Sequence, residues 1–353
     1  MIFKGGIIVL RKDTRIEPFS DVRVLSSIGC NSVIPQQGGY SLEDIKTFTY
    51  NADTVFPGND IVAAEILENG KNPGLGIRSL HKRGITGKGV KLAIIDQNLA
   101  QPFHPEYSKR LLAYEDIGTK QPSTSGSMHG PAVASLLVGQ SCGVAPNAEL
   151  YFVAVPSWTS DSKYYADALM WIIKVNRSLP ASDKIRAVSI SAAPSGIGSP
   201  FKQNLEMWDK AVSEAKADGL LVLDCRVGCD TGIIAPGYFD SEHPDDITQF
   251  CTGFPPNNGY SHPRNVIFAP SSFRTTAEQY TSEKVSYQYT GRGGLSWGIP
   301  YAIGVLALGW QIIHSLSNTG IIDLLFDSAY INGYGEKVIN PPAFIELIES
   351  RLR

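Results

Sequence analysis

The sequence predicts an α/β fold with a mostly parallel central sheet, and two observations carry that expectation. Short, mostly apolar runs (VKLAIID, LYFVAV, IRAVSIS, LLVLDCR and NVIFAP) recur between polar stretches. Runs without polar alternation read as strands buried on both faces, the condition of a parallel sheet. Between most of these runs lie helix-length stretches of mixed polarity, and such alternation implies right-handed crossovers with helices on both sides of the sheet. With 353 residues, 43% apolar and 18% charged, the chain can bury a substantial core as one large domain or two modest ones.

Each element can be justified in order. Residues 1–72 mix short apolar runs (IIVL, VRVLSSI) with polar, Gly-containing text, and read as a small strand-containing N-terminal extension, either a prodomain or an arm. The main domain, 73–353, starts with a short helix in IRSLHKRGITGKG and a strand, VKLAIID, that ends on Asp96. HGPAVASLLVG reads as a helix with Pro131 in its first turn, where a missing N–H is harmless. Strand 150–155, helix 161–179, strand 185–191, helix 203–219 and strand 220–226 follow. Residues 228–264, rich in Pro, Gly and Asn, read as a long loop before the strand NVIFAP. Trp297 to Ile313 is almost wholly apolar but contains three glycines, Pro300 and Gln311, which favours a central core helix over a membrane span. IIDLLFDSAYINGYG reads as a closing strand or loop, and PPAFIELIESRLR as a terminal helix.

Composition excludes several function classes. Lys plus Arg (31) nearly balances Asp plus Glu (34), giving a net charge of −3 with no basic stripe, so neither nucleic acid nor an anionic membrane is an expected partner. Five cysteines at 30, 142, 225, 229 and 251 form neither a disulfide framework nor a zinc-ligand pattern, and no metal is expected. The N-terminal run MIFKGGIIVLRKD is too short for a secretory leader, so the expectation is an intracellular, cytoplasmic chain.

Reactive groups in an open parallel sheet gather at the C-terminal ends of strands, where helix N-termini also point. Asp96 ends a strand, His129 opens a helix, and Ser296 in GGLSWGIP opens another. Each also has an ordinary reading: a turn residue for Asp96, a polar helix start for His129, an N-cap for Ser296. Their order along the chain, Asp then His then Ser, is one of the known orders of a serine-hydrolase triad.

The surrounding text resembles the subtilisin-like serine proteases, or subtilases. GITGKGVKLAIID resembles the strand entering their catalytic Asp, and HPEY their HP-acidic continuation. HGPAVASLLVG…GVAPNAELYFVAV resembles the motif around their catalytic His, and GLSWGIPYAIGVLAL the motif around their nucleophile. The resemblance covers about residues 73–315 and implies a subtilisin-like three-layer fold. It also implies a serine endopeptidase acting on peptide or protein substrates without a cofactor, through Asp96, His129 and Ser296. The chemistry asks for those residue types. A serine hydroxyl needs an imidazole to take its proton, and the imidazole needs a carboxylate to fix its tautomer and stabilise its cation. The resemblance further assigns Ser191, Ala192 and Ala193 to a substrate-pairing edge and pocket wall; an ordinary strand end rich in small residues is the other reading.

The match departs from the family at one important place. Where subtilases carry an oxyanion-binding Asn after the strand LLVLDCR, this chain continues VGCDTG, with Asp230, or less fittingly Cys229, at the corresponding position. An Asp donates to an oxyanion only when protonated. Leu295, Trp297 and Pro131 replace the family's usual Thr, Met and Thr, and the short link Gln140-Ser141-Cys142 leaves no room for a calcium-binding loop. A second reading therefore stands beside the protease: a pseudoprotease that binds peptides or a partner protein in the same cleft. A nucleotide-binding doubly wound domain is disfavoured, because no GxGxxG follows the first strand.

Overall fold

In the computed structural model, the described residues are 2–4, 7–9, 16–23, 32–33, 40–226, 230–258 and 265–352. Near the N-terminus, β1 (Ile2–Lys4), β2 (Ile7–Val9) and β3 (Ser32–Val33) form a small sheet. Then come α1 (Leu42–Thr47), β4 (Thr49–Asn51), α2 (Asp60–Asn69) and α3 (Ile77–Lys82). The central sheet holds β5 (Lys91–Asp96), β6 (Leu111–Asp116), β7 (Glu149–Ala154), β8 (Ile185–Ile190) and β9 (Leu221–Asp224), all parallel, in the order β6-β7-β5-β8-β9. Helices α4 (His129–Val138), α5 (Ser162–Ser178) and α6 (Leu205–Ala217) connect its strands.

Alternate residues of one strand show why these strands are mostly apolar. Leu92 and Ile94 of β5 face a core shared with α4 and the long helix α7 (Leu295–Ile312), while Ala93 and Ile95 face a second core under α5 and α6. Helix, sheet and helix make three layers, as the sequence predicts. All of α7 from Trp297 to Trp310 is buried, which answers the membrane question in favour of a core helix.

The remaining strands flank this unit. β10 (Ile234–Tyr238), β11 (Cys251–Phe254), β12 (Asn257–Asn258), β13 (Ile267–Pro270), β16 (Tyr330–Ile331) and β17 (Lys337–Val338) form a second sheet. The hairpin β14 (Arg274–Thr281) and β15 (Lys284–Thr290) pairs with β4. The N-terminal extension is thus stitched into the main domain: β4 completes the hairpin's sheet, and Phe48, Tyr50, Phe56 and Tyr289 share a third core.

Two expectations require correction. The long loop expected over 228–264 contains β10 and β11; its Gly and Pro residues fit because β10 packs tightly, a Cβ on Gly237 falling 2.3 Å from the Phe250 ring. The closing strand or loop expected at 321–335 begins instead as helix α8 (Asn318–Asp327). Ser317 caps α8 by accepting from Gly320 N, and Ile321, Leu324 and Leu325 bury one helical stripe. The terminal helix is α9 (Pro341–Ser350).

Candidate active site

β5 is the strand at which the connections change direction, since its neighbours β7 and β8 lie on opposite sides. In open parallel sheets, binding crevices lie outside the C-terminal ends of the strands at such a point. Asp96 sits there, 2% exposed. Its Oδ1 accepts two hydrogen bonds of 2.7 Å, from the backbone N–H of Gln97 and from Nδ1 of His129.

His129 opens α4, and several contacts fix that helix start against β5. Ser127 Oγ accepts from Gly130 N at 3.0 Å and donates to the Asn98 carbonyl at 3.0 Å. The Asn98 amide in turn donates to the Ser125 carbonyl. A Cβ on Gly130 would lie 2.2 Å from the Gln97 carbonyl oxygen, so only glycine lets α4 approach the end of β5 this closely. With Asp96 accepting, Nδ1 carries the proton and Nε2 is left as the basic nitrogen. Burial works against a charged ring, but the Asp96 carboxylate outweighs it and raises the His129 pKa above its ordinary value.

Ser296 is the second residue of α7 and does not cap it. The cap is Gly294, in extended conformation, and no side chain bonds there. The N–H of Ser296 is instead one of the first-turn donors that lack an intrahelical acceptor. The glycine that the turn demands is Gly293: its φ is +64°, and a Cβ would fall 1.7 Å from the Ser271 carbonyl oxygen. The Ser296 hydroxyl donates to the Ser191 carbonyl at 3.3 Å, while Ser191 Oγ donates to the Ser296 carbonyl at 2.8 Å. Pro300, one turn further on, has no N–H for that carbonyl, so the Ser191 hydroxyl takes its place. The His129 ring lies against Trp297, the residue after Ser296, with ring centroids 5.3 Å apart.

The chain has counterparts among known proteins. A model of the subtilase family matches residues 87–225. An alkaline protease of Alkalihalobacillus alcalophilus is 27% identical over 276 residues, covering 74% of this chain and 66% of that protein. Subtilisin Savinase of Lederbergia lenta is 26% identical over 276 residues, covering 74% and 93%. These matches make the chain similar to the subtilase family. Among solved structures, fervidolysin of Fervidobacterium pennivorans, a keratinolytic enzyme related to subtilisin, superposes with a TM-score of 0.56 at 15% identity, over 77% of this chain and 44% of that one. The prenylagaramide maturation protease PagA superposes at 0.54 and 19% identity, over 77% and 98%. Both likenesses support a subtilisin-like fold for this chain, which spans 66% of the length of the alkaline protease.

The other sequence-predicted residues divide. Ser191, Ala192 and Ala193 follow β8 beside Ser296 and are half-buried. Their carbonyls are engaged: Ser191 by Ser296 Oγ, Ala192 by Cys225 N at 2.9 Å, and Ala193 by Ser199 Oγ at 2.6 Å. Asp230 corrects an expectation. Its side chain is 86% exposed and pairs with Lys216 of α6 at 3.0 Å, and a carboxylate held in an ion pair accepts hydrogen bonds instead of donating them. Cys229 lies outside the described residues.

Sequence reasoning passed over Arg226. Its guanidinium bonds Asp224 at the end of β9 (2.7 Å), Asp209 of α6 (2.8 Å), Ser195 (3.1 Å) and Thr231 (2.7 Å), locking the loop after β8 to β9. The only sequence signal was an arginine two residues after an acid at a strand end. Gln97 was also passed over; its amide donates to Ser157 Oγ at 2.7 Å, tying the loop after β7 to the end of β5.

Proposed function

We propose that this protein is a serine endopeptidase that hydrolyses peptide bonds in peptide or protein substrates through an acyl-enzyme. Ser296 Oγ attacks the scissile carbonyl carbon while its proton passes to His129 Nε2. Asp96 holds the ring in the required tautomer and balances the imidazolium. Collapse of the tetrahedral intermediate breaks the C–N bond, and the same proton leaves on the amine. Water then repeats the sequence in reverse roles and releases the acid. The Ser296 N–H, aided by the positive end of α7, donates to the oxyanion. Ser191–Ala193 pairs with the extended substrate backbone.

The observation that carries this reading is the 2.7 Å bond between His129 Nδ1 and the buried Asp96 carboxylate, formed beside the start of the Ser296 helix. A fluorophosphonate probe tests it. It should label the protein at Ser296, and Ser296→Ala should abolish labelling and peptide hydrolysis together. Protein that binds peptides but takes up no probe at any pH between 6 and 10 overturns the proposal in favour of a non-catalytic peptide-binding cleft.

A further inference from the structure

Trp297 belongs to the core helix α7 yet presents its ring to the imidazole of His129. The ring centroids are 5.3 Å apart and the planes are inclined by 32°, a tilted arrangement well away from the perpendicular edge-on one. Trp297 is 5% exposed, and its Nε1 has no hydrogen-bond partner among the described residues. Leaving a buried N–H unpaired is unfavourable, and a purely space-filling role could be met by a ring without that group. The indole face is the strongest of the natural side chains in attracting a cation, and the attraction grows where water is excluded.

We propose that Trp297 is a positioning residue whose indole face holds the His129 ring and stabilises the imidazolium formed when Ser296 gives up its proton. The inference rests on the protease reading for its role in catalysis, but the contact itself does not depend on turnover. Starting from the neutral imidazole that activity requires, His129 becomes charged as each tetrahedral intermediate forms and neutral again as it collapses, so a contact favouring the charged state lowers the barrier more than it tightens substrate binding. Asp96 on β5 is the charged group that meets the ring. Cys225 beyond β9 and Tyr165 of α5 lie within reach of Asp96, and burial holds both in their neutral forms. The face toward α7 thus offers the cation a neutral π surface, where the side toward β5 offers a carboxylate.

The test reads the titration of His129 directly, by 1H–15N NMR of the imidazole in Ser296→Ala protein, which cannot turn over. Trp297→Phe keeps an aromatic face of weaker attraction and should lower the midpoint by less than the loss of the aromatic face does. Trp297→Leu keeps an apolar cover without the π face and should lower the midpoint by about one pH unit, a tenfold loss of proton affinity. Should Trp297→Leu fail to fold, tetrafluorotryptophan incorporated at position 297 withdraws charge from the ring face with little change of shape, and should lower the midpoint likewise. In protein with Ser296 intact, the acid limb of kcat/KM should move by the same amount, with kcat falling and KM nearly unchanged. Coincident midpoints for the parent, Leu and fluorinated proteins overturn the inference. Absent fluorophosphonate labelling with separated midpoints overturns the protease reading and leaves the contact standing.

Discussion

Ser191 and Ser296 exchange two hydrogen bonds, each hydroxyl donating to the other residue's carbonyl. The shorter bond, 2.8 Å from Ser191 Oγ, serves a helix carbonyl that Pro300 cannot serve. Ser191→Ala should therefore destabilise the protein by about 1 kcal/mol, the usual consequence of leaving a shielded acceptor unpaired. Pro300→Ala restores an N–H one turn along α7. In that background the effect of Ser191→Ala should shrink toward zero. Denaturant unfolding of the four proteins of this double-mutant cycle measures the coupling, and purely additive effects would refute it.

The longer bond of the pair has a functional consequence. With its hydroxyl on the Ser191 carbonyl, Ser296 is not bonded to His129 in the free protein, and substrate backbone pairing with Ser191 must compete for that same carbonyl. If a peptide docks along Ser191–Ala193 as proposed, it should release the hydroxyl toward the imidazole. Peptides whose backbone N–H opposite Ser191 is methylated should bind without that release. They should show a loss in kcat beyond their loss in affinity, measured against the unmethylated peptide.

Asp96 raises the proton affinity of His129 against the opposing effect of burial. Activity needs the neutral imidazole, so it should fall as pH drops through a midpoint above about 6.5, the ordinary histidine value. The fold has the opposite dependence. Stabilisation from the raised pKa is complete below the unfolded value and disappears as pH rises through the folded one. Asp96→Asn removes the cause and fixes the wrong tautomer. It should lower kcat by about 10⁴-fold and move the acid limb of the remaining activity downward. A pH–rate profile of kcat/KM for both proteins checks the sign.

Gly130 sets how closely α4 approaches β5. Gly130→Ala puts a methyl 2.2 Å from the Gln97 carbonyl oxygen, a backbone atom with nowhere to go, so α4 must move away from Asp96. The expected effects are a destabilisation of about 1–3 kcal/mol and a large fall in the rate of fluorophosphonate labelling. Gly333→Ala, where a Cβ meets nothing within 4 Å, is the matched control and should leave both unchanged.

How far the sequence foretold this arrangement depends on how each part is buried. The strands of the central sheet carrying Asp96 and leading to Ser191 are covered on both faces, which writes them as mostly apolar runs. Asp96, His129 and Ser296 were legible because each stands where such a run or a core helix begins or ends. The hairpin β14–β15 was not, because its buried side chains include Arg274, Thr275, Thr276, Glu278 and Gln279, whose burial depends on partners distant in the chain. Asp230 was misjudged for a related reason. Alignment by spacing placed it at the oxyanion, but its direction is settled by Lys216 on α6, which no local pattern reveals. Helix α8 was hidden because it is short and buries only one stripe, leaving a polarity pattern as compatible with a loop.

Glu278 carries the most telling of these buried polar choices. It is 1% exposed on β14, bonded by the Asn51 amide at 2.9 Å, with Arg23 of the N-terminal extension 3.8 Å away. Burial pushes its carboxyl up to about 7, and the attraction of Arg23 only partly offsets this. A carboxyl whose folded pKa is raised favours the fold below its unfolded pKa, about 4.3, and loses that contribution as pH rises through 7. Ionising Glu278 at pH 8.5 should thus remove stability on the order of 3 kcal/mol that is present at pH 4. Glu278→Gln cannot ionise. Its stability relative to the parent should therefore increase with pH, most steeply between about pH 5 and 8, whatever the offset from the altered contact with Arg23. Thermal unfolding of both proteins across that range measures the difference, and a constant offset at every pH would show that Glu278 does not titrate in the folded protein.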